Sequence, residues 1–218
     1  RVLRSAQLLP NIQKILLLSS GLVYGTHPKT EKISETYAGA NDPFDFQSIY
    51  SESKRFSEAV AAAFIAEAKL PIVVLRPFAF VGPYQNLTLP WAVTDFIRDA
   101  MNGGPIKIMG DGSTVRSIMY SADFALWTLA ALASGKPRSV YNIGSPESID
   151  LFSLAKLITQ FFSPIPEIQT NVGQVEQVPS RLVPSVDKAI KELGVHMVTD
   201  LFHAIQKTIS WHKYRASE

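Results

Sequence analysis

The sequence predicts an α/β protein in which part of a doubly wound parallel sheet is followed by a smaller α+β lobe. Two continuous apolar runs, residues 15–18 and 72–75, have the composition of strands buried on both faces of a parallel sheet. Residues 48–69 between them are rich in Ala and Glu and almost free of helix breakers, which predicts a long helix. Strand, helix and strand in this order predict a βαβ unit with a right-handed crossover.

After residue 82, Pro and Gly become frequent and the elements become shorter, which indicates the second lobe. The patterns there predict helices at residues 91–101, 122–133, 151–162, 185–193 and 200–211, and strands at 106–109, 116–120 and 140–144. We therefore divide the chain into residues 1–80, which form the sheet domain, and residues 81–218, which form mainly the second lobe. The strand near 140–144 is expected to return to the first sheet.

Composition excludes several classes of function. A formal net charge of +2 gives no support for a nucleic-acid or membrane partner. The absence of cysteine excludes disulfides, thiolate zinc sites and cysteine nucleophiles, and it fits a reducing, cytoplasmic location. The 4 histidines show no metal-ligand spacing, so no metal site is predicted.

The clearest candidates for catalytic residues are Tyr50 and Lys54, which lie near the start of the predicted long helix. Positions i and i+4 lie one above the other on a helix face, so the two side chains are expected to be neighbours. An isolated phenol is a poor base at neutral pH, but a neighbouring ammonium favours its ionised form. Tyr50 is therefore a candidate general acid and base. The hydroxyl of Ser20, at the end of the preceding strand, can orient a substrate oxygen.

Three motifs in order along the chain carry a family resemblance. Residues 19–25 (SSGLVYG), 50–54 (YSESK) and 76–83 (RPFAFVGP) together resemble the extended short-chain dehydrogenase/reductase family. That family includes NAD-dependent nucleotide-sugar epimerases, dehydratases, decarboxylases and 4-keto-reductases. The Gly-Asp-Gly turn at residues 110–112 and the segment 140–144 resemble later parts of the same family. The resemblance implies a Rossmann-like NAD(P)-binding domain, of which residues 1–80 are the C-terminal part, and a substrate-binding lobe.

The resemblance also assigns roles to individual residues. It implies that the catalytic residues are Ser20, Tyr50 and Lys54. It implies that NAD or NADP is contacted by Ser19, Tyr50, Lys54, Pro77 and Phe78. It implies that a nucleotide-diphosphate sugar is contacted by Ser20, Leu22, Ala79, Arg116 and Arg181, with the arginines on the diphosphate. A homodimer formed through the long helices is a further expectation from the family.

Two departures from the family pattern narrow the reaction. The family's sugar 4,6-dehydratases follow the serine position with Asp-Glu, whereas this chain has Gly21 and Leu22, which transfer no proton. The family often has Asn where Ala79 stands, so the usual amide contact with the substrate is missing. The sequence therefore favours an epimerase or a 4-keto-reductase, and a dehydratase with an atypical site stays open as an alternative.

The family's glycine-rich phosphate loop is not formed by any of the 12 glycines. Its βα units would amount to roughly 100 residues. We therefore expect this chain to be the C-terminal portion of a longer enzyme, inactive alone because most of the cofactor site is missing. The alternative is a binding or structural remnant without catalysis.

Overall fold

The computed structural model describes residues 1–25, 31–39, 41–171 and 180–216. The α-helices of this part of the chain are α1 (Val2–Gln7), α2 (Ile49–Ala68), α3 (Ala92–Met101), α4 (Ser121–Ser134), α5 (Leu151–Thr159), α6 (Asp187–Leu193) and α7 (Leu201–Ala216). The strands are β1 (Ile15–Leu18), β2 (Ile72–Pro77), β3 (Ala79–Val81), β4 (Ile106–Ile108), β5 (Val115–Arg116), β6 (Ile118–Tyr120), β7 (Val140–Ile143), β8 (Ile149–Asp150), β9 (Ile168–Thr170) and β10 (Arg181–Leu182).

The central sheet is parallel, with strand order β1-β2-β7. Side chains of β2 alternate between its two faces, as period-2 geometry requires. Ile72 and Val74 pack in a cluster with residues of α1 and α2, whereas Val73 and Leu75 pack in a cluster with residues of α4 and α6. Helices therefore cover both faces of β2, which confirms the predicted α/β class with its parallel sheet.

The second lobe is built on a separate core. Buried side chains of α3, α5, α7, β4 and β6 form its main hydrophobic cluster. The short strands pair as β3-β6 and β4-β9, both parallel, and as a ribbon with the order β10-β5-β8. The strands on either side of the turn at 110–112 do not pair with each other, because β4 pairs with β9 and β5 with β10 and β8.

Some element boundaries differ from the sequence prediction. The predicted strand 116–120 is divided at Ser117, which is 1% exposed and whose Oγ donates a hydrogen bond to the Ser145 carbonyl at 2.7 Å. This break lets β5 join the ribbon while β6 pairs with β3. The helix predicted to begin at residue 185 begins at Asp187, and the backbone N–H of Ser185 bonds to the Ile33 carbonyl. The last helix extends beyond its predicted end at residue 211.

Candidate active site

Tyr50 and Lys54 lie on one face of α2, at the carboxyl end of β1. The Lys54 ammonium nitrogen, Nζ, donates a hydrogen bond to the Leu18 carbonyl at 2.9 Å and lies 5.7 Å from the centre of the Tyr50 ring. Tyr50 is 48% exposed, so its phenol is open to a ligand. An ammonium has three N–H donors, and the bond to Leu18 uses one of them. Tyr50 and Lys54 therefore lie on the same face of α2, as their spacing predicts, and both can form further hydrogen bonds.

Ser20 follows β1 and caps the next turn. The 3₁₀ turn Gly21–Tyr24 begins directly after Ser20, whose Oγ accepts the Leu22 N–H at 3.1 Å. The side chain is buried, with 7% exposure. Among the described residues, none accepts the hydroxyl hydrogen of Ser20. This hydroxyl is therefore oriented by the backbone, and its hydrogen has no acceptor within the described residues.

Gly21 lies against the ring of Phe78. A Cβ at Gly21 would be 2.9 Å from the nearest ring carbon, and real Cβ atoms do not approach that closely. Phe78 is 5% exposed and packs with Val23, Tyr24 and Ile33. Its ring therefore packs against the turn that follows Ser20. An acidic side chain at position 21 would require Phe78 to move, which is a physical reason for the glycine that the sequence shows there.

The other sequence-predicted residues near the sheet have different surroundings. The Ser19 hydroxyl donates to Glu58 Oε1 at 2.5 Å and is buried within the protein. Pro77 is the last residue of β2, pairs with Ile143 of β7 and is half-buried. Ala79 is half-buried at the start of β3, opposite Ile118.

Arg116 lies in the middle strand of the β10-β5-β8 ribbon. Its Nη1 atom donates to the carbonyls of Val115 at 2.9 Å and Ser180 at 3.1 Å. Burial lowers the pKa of Arg116 from its ordinary value. No carboxylate forms an ion pair with it among the residues whose positions the structure describes. The guanidinium is therefore a partly buried cation with carbonyl partners alone.

Arg181 lies on the other face of the same ribbon. The register pairs Arg181 with Val115 and Leu182 with Arg116, and paired residues share a face. The Nη2 atom of Arg181 donates to Ser148 Oγ at 3.2 Å, whereas its buried Nε has no partner among the described groups. The two arginines therefore project from opposite faces and do not form one fork. A diphosphate contact from Arg181 stays a prediction.

A buried polar network that the sequence analysis did not identify joins the ends of the strands. Arg76 donates to Glu58 through Nε at 2.9 Å and Nη2 at 2.6 Å, and through Nη1 to the Tyr24 hydroxyl at 2.9 Å. Tyr24 in turn donates to Asn142 Oδ1 at 2.7 Å. Three of these residues lie within segments 19–25, 76–83 and 140–144, which resemble the family. Their position in these segments is the signal by which the sequence could have indicated the network.

Neighbouring groups and burial shift the pKa values of the ionisable residues in this network. Burial raises the pKa of Glu58, but hydrogen bonds from Arg76 and Ser19 and the charge of Arg76 outweigh it, and the net pKa is lowered. Burial also acts to lower the pKa of Arg76, but its bonds to Glu58 and Tyr24 leave that pKa raised. Burial raises the pKa of the Tyr24 phenol, so that phenol is neutral at neutral pH. The network is therefore an ion pair with neutral partners.

Within the described ranges, no group of three or more His, Asp or Glu side chains is arranged to hold a metal ion. His27 lies outside those ranges. None of the helices in the described part of the chain is both long and apolar enough to cross a membrane.

Solved structures of nucleotide-sugar enzymes share this fold. A UDP-glucuronic acid 4-epimerase from Bacillus cereus, in complex with UDP-glucuronic acid and NAD, superposes with a TM-score of 0.84 at 22% identity, over 98% of this chain and 65% of that one. A dTDP-glucose 4,6-dehydratase from Bacillus anthracis, in complex with NAD, superposes with a TM-score of 0.84 at 24% identity, over 99% and 66%.

This chain belongs to the NAD dependent epimerase/dehydratase family, whose family model matches residues 1–144. This confirms the resemblance that the motifs indicated. UDP-glucuronic acid decarboxylase 1 of Xenopus tropicalis is 29% identical over 200 residues, which cover 92% of this chain and 47% of the relative. UDP-glucuronic acid decarboxylase 6 of Arabidopsis thaliana is 30% identical over 184 residues, covering 83% and 52%. The chain thus spans about half the length of these curated relatives.

Proposed function

We propose that this chain carries the catalytic residues and the substrate lobe of an enzyme that exchanges a hydride and a proton at one carbon of a nucleotide-linked sugar. An epimerase oxidises and then re-reduces that carbon, whereas a 4-keto-reductase only reduces it. The observation that carries the proposal is the bond from Lys54 to the Leu18 carbonyl. This bond anchors Lys54, and with it Tyr50 one helical turn away, at the strand end that Ser20 follows. Family membership favours an enzyme over the alternative of a binding remnant.

The three side chains have complementary tasks in this reaction. Tyr50, as the general base, takes the proton from a sugar hydroxyl, and the same carbon gives up a hydride, for which a bound nicotinamide would supply the acceptor, so that a carbonyl forms. The Lys54 ammonium lies on the same face of α2 as Tyr50, and the Ser20 hydroxyl donates to the sugar oxygen. In the reverse step Tyr50 returns the proton to the oxygen.

The residues present fit a nicotinamide cofactor on this side of the sheet. Lys54 retains N–H donors that can bond to a ribose, and Tyr50 is accessible. NAD or NADP, when bound, would supply the hydride acceptor and donor. Ser19 is engaged with Glu58, so a contact from Ser19 to the cofactor would come from its backbone. Phe78 is buried and would act from beneath the site.

A decarboxylase is the second candidate, and the curated relatives favour it. Oxidation of a glucuronic acid at C4 gives a β-keto acid, which loses carbon dioxide and leaves an enolate. The enolate takes a proton from water at C5, and the C4 carbonyl is then reduced again. The same Tyr50 proton transfer would then serve a different product. Gly21 and Leu22 are compatible with this reaction, because neither needs to transfer a proton.

The test is the substitution Tyr50→Phe in the intact protein. We expect turnover of UDP-glucuronic acid with NAD to fall by about 10²–10⁴-fold, because the general acid and base is lost. Tyr84→Phe, an exposed tyrosine of the other lobe, is the matched control and should retain full activity. Release of labelled carbon dioxide identifies a decarboxylase, and formation of the C4 epimer identifies an epimerase. Unimpaired turnover by Tyr50→Phe would exclude the assigned role.

A further inference from the structure

Glu58 joins three separate parts of the site. It lies on α2 one turn beyond Lys54, and its carboxylate accepts hydrogen bonds from Ser19 at the end of β1 and from two nitrogens of Arg76 on β2. The side chains of Arg76 and Glu58 are 14% and 15% exposed, so the pair is largely shielded from water. A single carboxylate therefore connects the helix that carries Tyr50 to the ends of both strands.

Lys54 and Glu58 contact consecutive positions of β1. Lys54 donates to the carbonyl of Leu18, and Glu58 accepts from the hydroxyl of Ser19. Along the helix these two residues are about 6 Å apart, since each residue rises 1.5 Å. One contact alone would leave α2 free to rotate or slide against β1. Two contacts, one turn apart, fix both its rotation and its position along the strand.

The other end of the network holds the turn that Ser20 caps. Arg76 donates to the Tyr24 hydroxyl, and Tyr24 is the last residue of that 3₁₀ turn. Tyr24 is also anchored on Asn142 of β7. The ion pair thus sets the position of α2, which carries Tyr50, and also restrains the turn that follows Ser20.

We propose that Glu58 is a positioning residue for the reaction, one that sets the distance between the Tyr50 phenol and the Ser20 hydroxyl through its bonds to Ser19 and Arg76. This inference rests on the function proposed above, since it assumes that Tyr50 and Ser20 act on one substrate. The role requires a carboxylate, because an amide accepts only through one oxygen and cannot form the paired bonds with Arg76. A shift of about 1 Å at a reacting group is enough to cost about 10²-fold in rate.

The first test compares Glu58→Gln with Glu67→Gln, an exposed glutamate of the same helix. Both variants are assayed as intact protein with NAD and UDP-glucuronic acid, well below their thermal midpoints. For Glu58→Gln we expect kcat to fall by about 10- to 100-fold, with KM changed by less than about threefold, because alignment rather than binding is lost. Glu67→Gln should match the parent. Equal kcat values for the two variants would overturn the proposal.

The second test needs no substrate. Acetylation of the intact protein with acetic anhydride, followed by peptide mass spectrometry, measures how firmly Lys54 is held against Leu18. In Glu58→Gln we expect Lys54 to react faster relative to Lys107, an exposed lysine of the other lobe. An unchanged ratio would overturn the positioning role. General loosening of the fold would raise labelling at both lysines and would also count against it.

The two tests separate the proposals. If the parent protein fails to convert the sugar nucleotide while Lys54 labelling rises in Glu58→Gln, the proposed function is wrong and the restraint on α2 stands. A double variant, Ser19→Ala with Glu58→Ala, gives a further check. Because each single change removes the hydrogen bond between Ser19 and Glu58, their effects on Lys54 labelling should be less than additive. Fully additive effects would mean that Ser19 and Glu58 restrain Lys54 independently, which would contradict the proposal.

Discussion

Two regions of this protein each contain a partly buried arginine, and the two arginines have different kinds of hydrogen-bond partner. At the end of the central sheet, Arg76 is paired with Glu58 through two hydrogen bonds and has a third partner in Tyr24. In the β10-β5-β8 ribbon, Arg116 bonds to backbone carbonyls and has no carboxylate partner among the described residues. The pKa of Arg76 is raised by its partners, whereas the pKa of Arg116 is lowered by burial.

This contrast separates an arginine whose charge is balanced by a carboxylate from an arginine that has no carboxylate partner among the described residues. Burying an ion costs several kcal/mol, and a paired anion offsets that cost within the protein itself. For Arg116 the offset can come from outside, because guanidinium groups bind phosphates with two parallel hydrogen bonds. The comparison therefore supports the proposal that Arg116 contacts the diphosphate of a sugar nucleotide.

The largest expected effect is on stability, at Arg76. Arg76→Met leaves the Glu58 carboxylate without its cation, so we expect the free energy of unfolding to fall by about 3 kcal/mol, measured by urea denaturation. The control is Glu52→Gln, which breaks an exposed ion pair with Arg55 and should cost less than about 1 kcal/mol. Similar losses in the two variants would mean that the buried pair contributes no more than a surface pair.

The next effect is on affinity, at Arg116. Arg116→Met should weaken UDP binding by about 10- to 100-fold in calorimetry, the equivalent of one charge-assisted hydrogen bond or two. Stability without UDP should hold or rise, because a buried cation without a carboxylate is removed. Arg4→Met, at an exposed position of α1, should change neither property. A loss of stability as large as that of Arg76→Met would remove the distinction between the two regions.

The smallest effect is on the pH dependence of stability. The pKa of Glu58 is lower in the folded protein than its ordinary value, so its contribution is fully present above about pH 4.3 and is lost as pH falls through the folded pKa. The free energy of unfolding of Glu58→Gln should therefore fall less steeply than that of the parent in acid. Glu67→Gln should follow the parent curve. Parallel curves for Glu58→Gln and the parent would contradict the pKa shift.

Local sequence patterns predicted much of the fold. Helix α2 spans Ile49–Ala68, against the prediction of 48–69, because an uninterrupted run of helix formers between breakers is a property of neighbouring residues. Strand β1 spans Ile15–Leu18, and the predicted run 72–75 lies within β2, for a similar reason. The shared face of Tyr50 and Lys54 follows from helix geometry alone.

Those local patterns could not predict hydrogen bonds between residues that lie far apart in the sequence. Tyr24 and Asn142 are bonded across 118 positions of the chain, and Arg76 reaches back 18 positions to Glu58. No periodicity relates such residues. The break of the predicted strand at Ser117 likewise depends on the Ser145 carbonyl, which lies 28 positions away.

The sequence by itself therefore determined the α/β class, the βαβ unit and the pair formed by Tyr50 and Lys54, because spacing along a helix or strand sets which side chains share a face. Only the tertiary structure decided which charges are paired within the protein. It placed Glu58 between two strand ends, and it placed Arg116 and Arg181 on opposite faces of one ribbon. These arrangements depend on how strands are registered against each other, which is set by packing of the whole core.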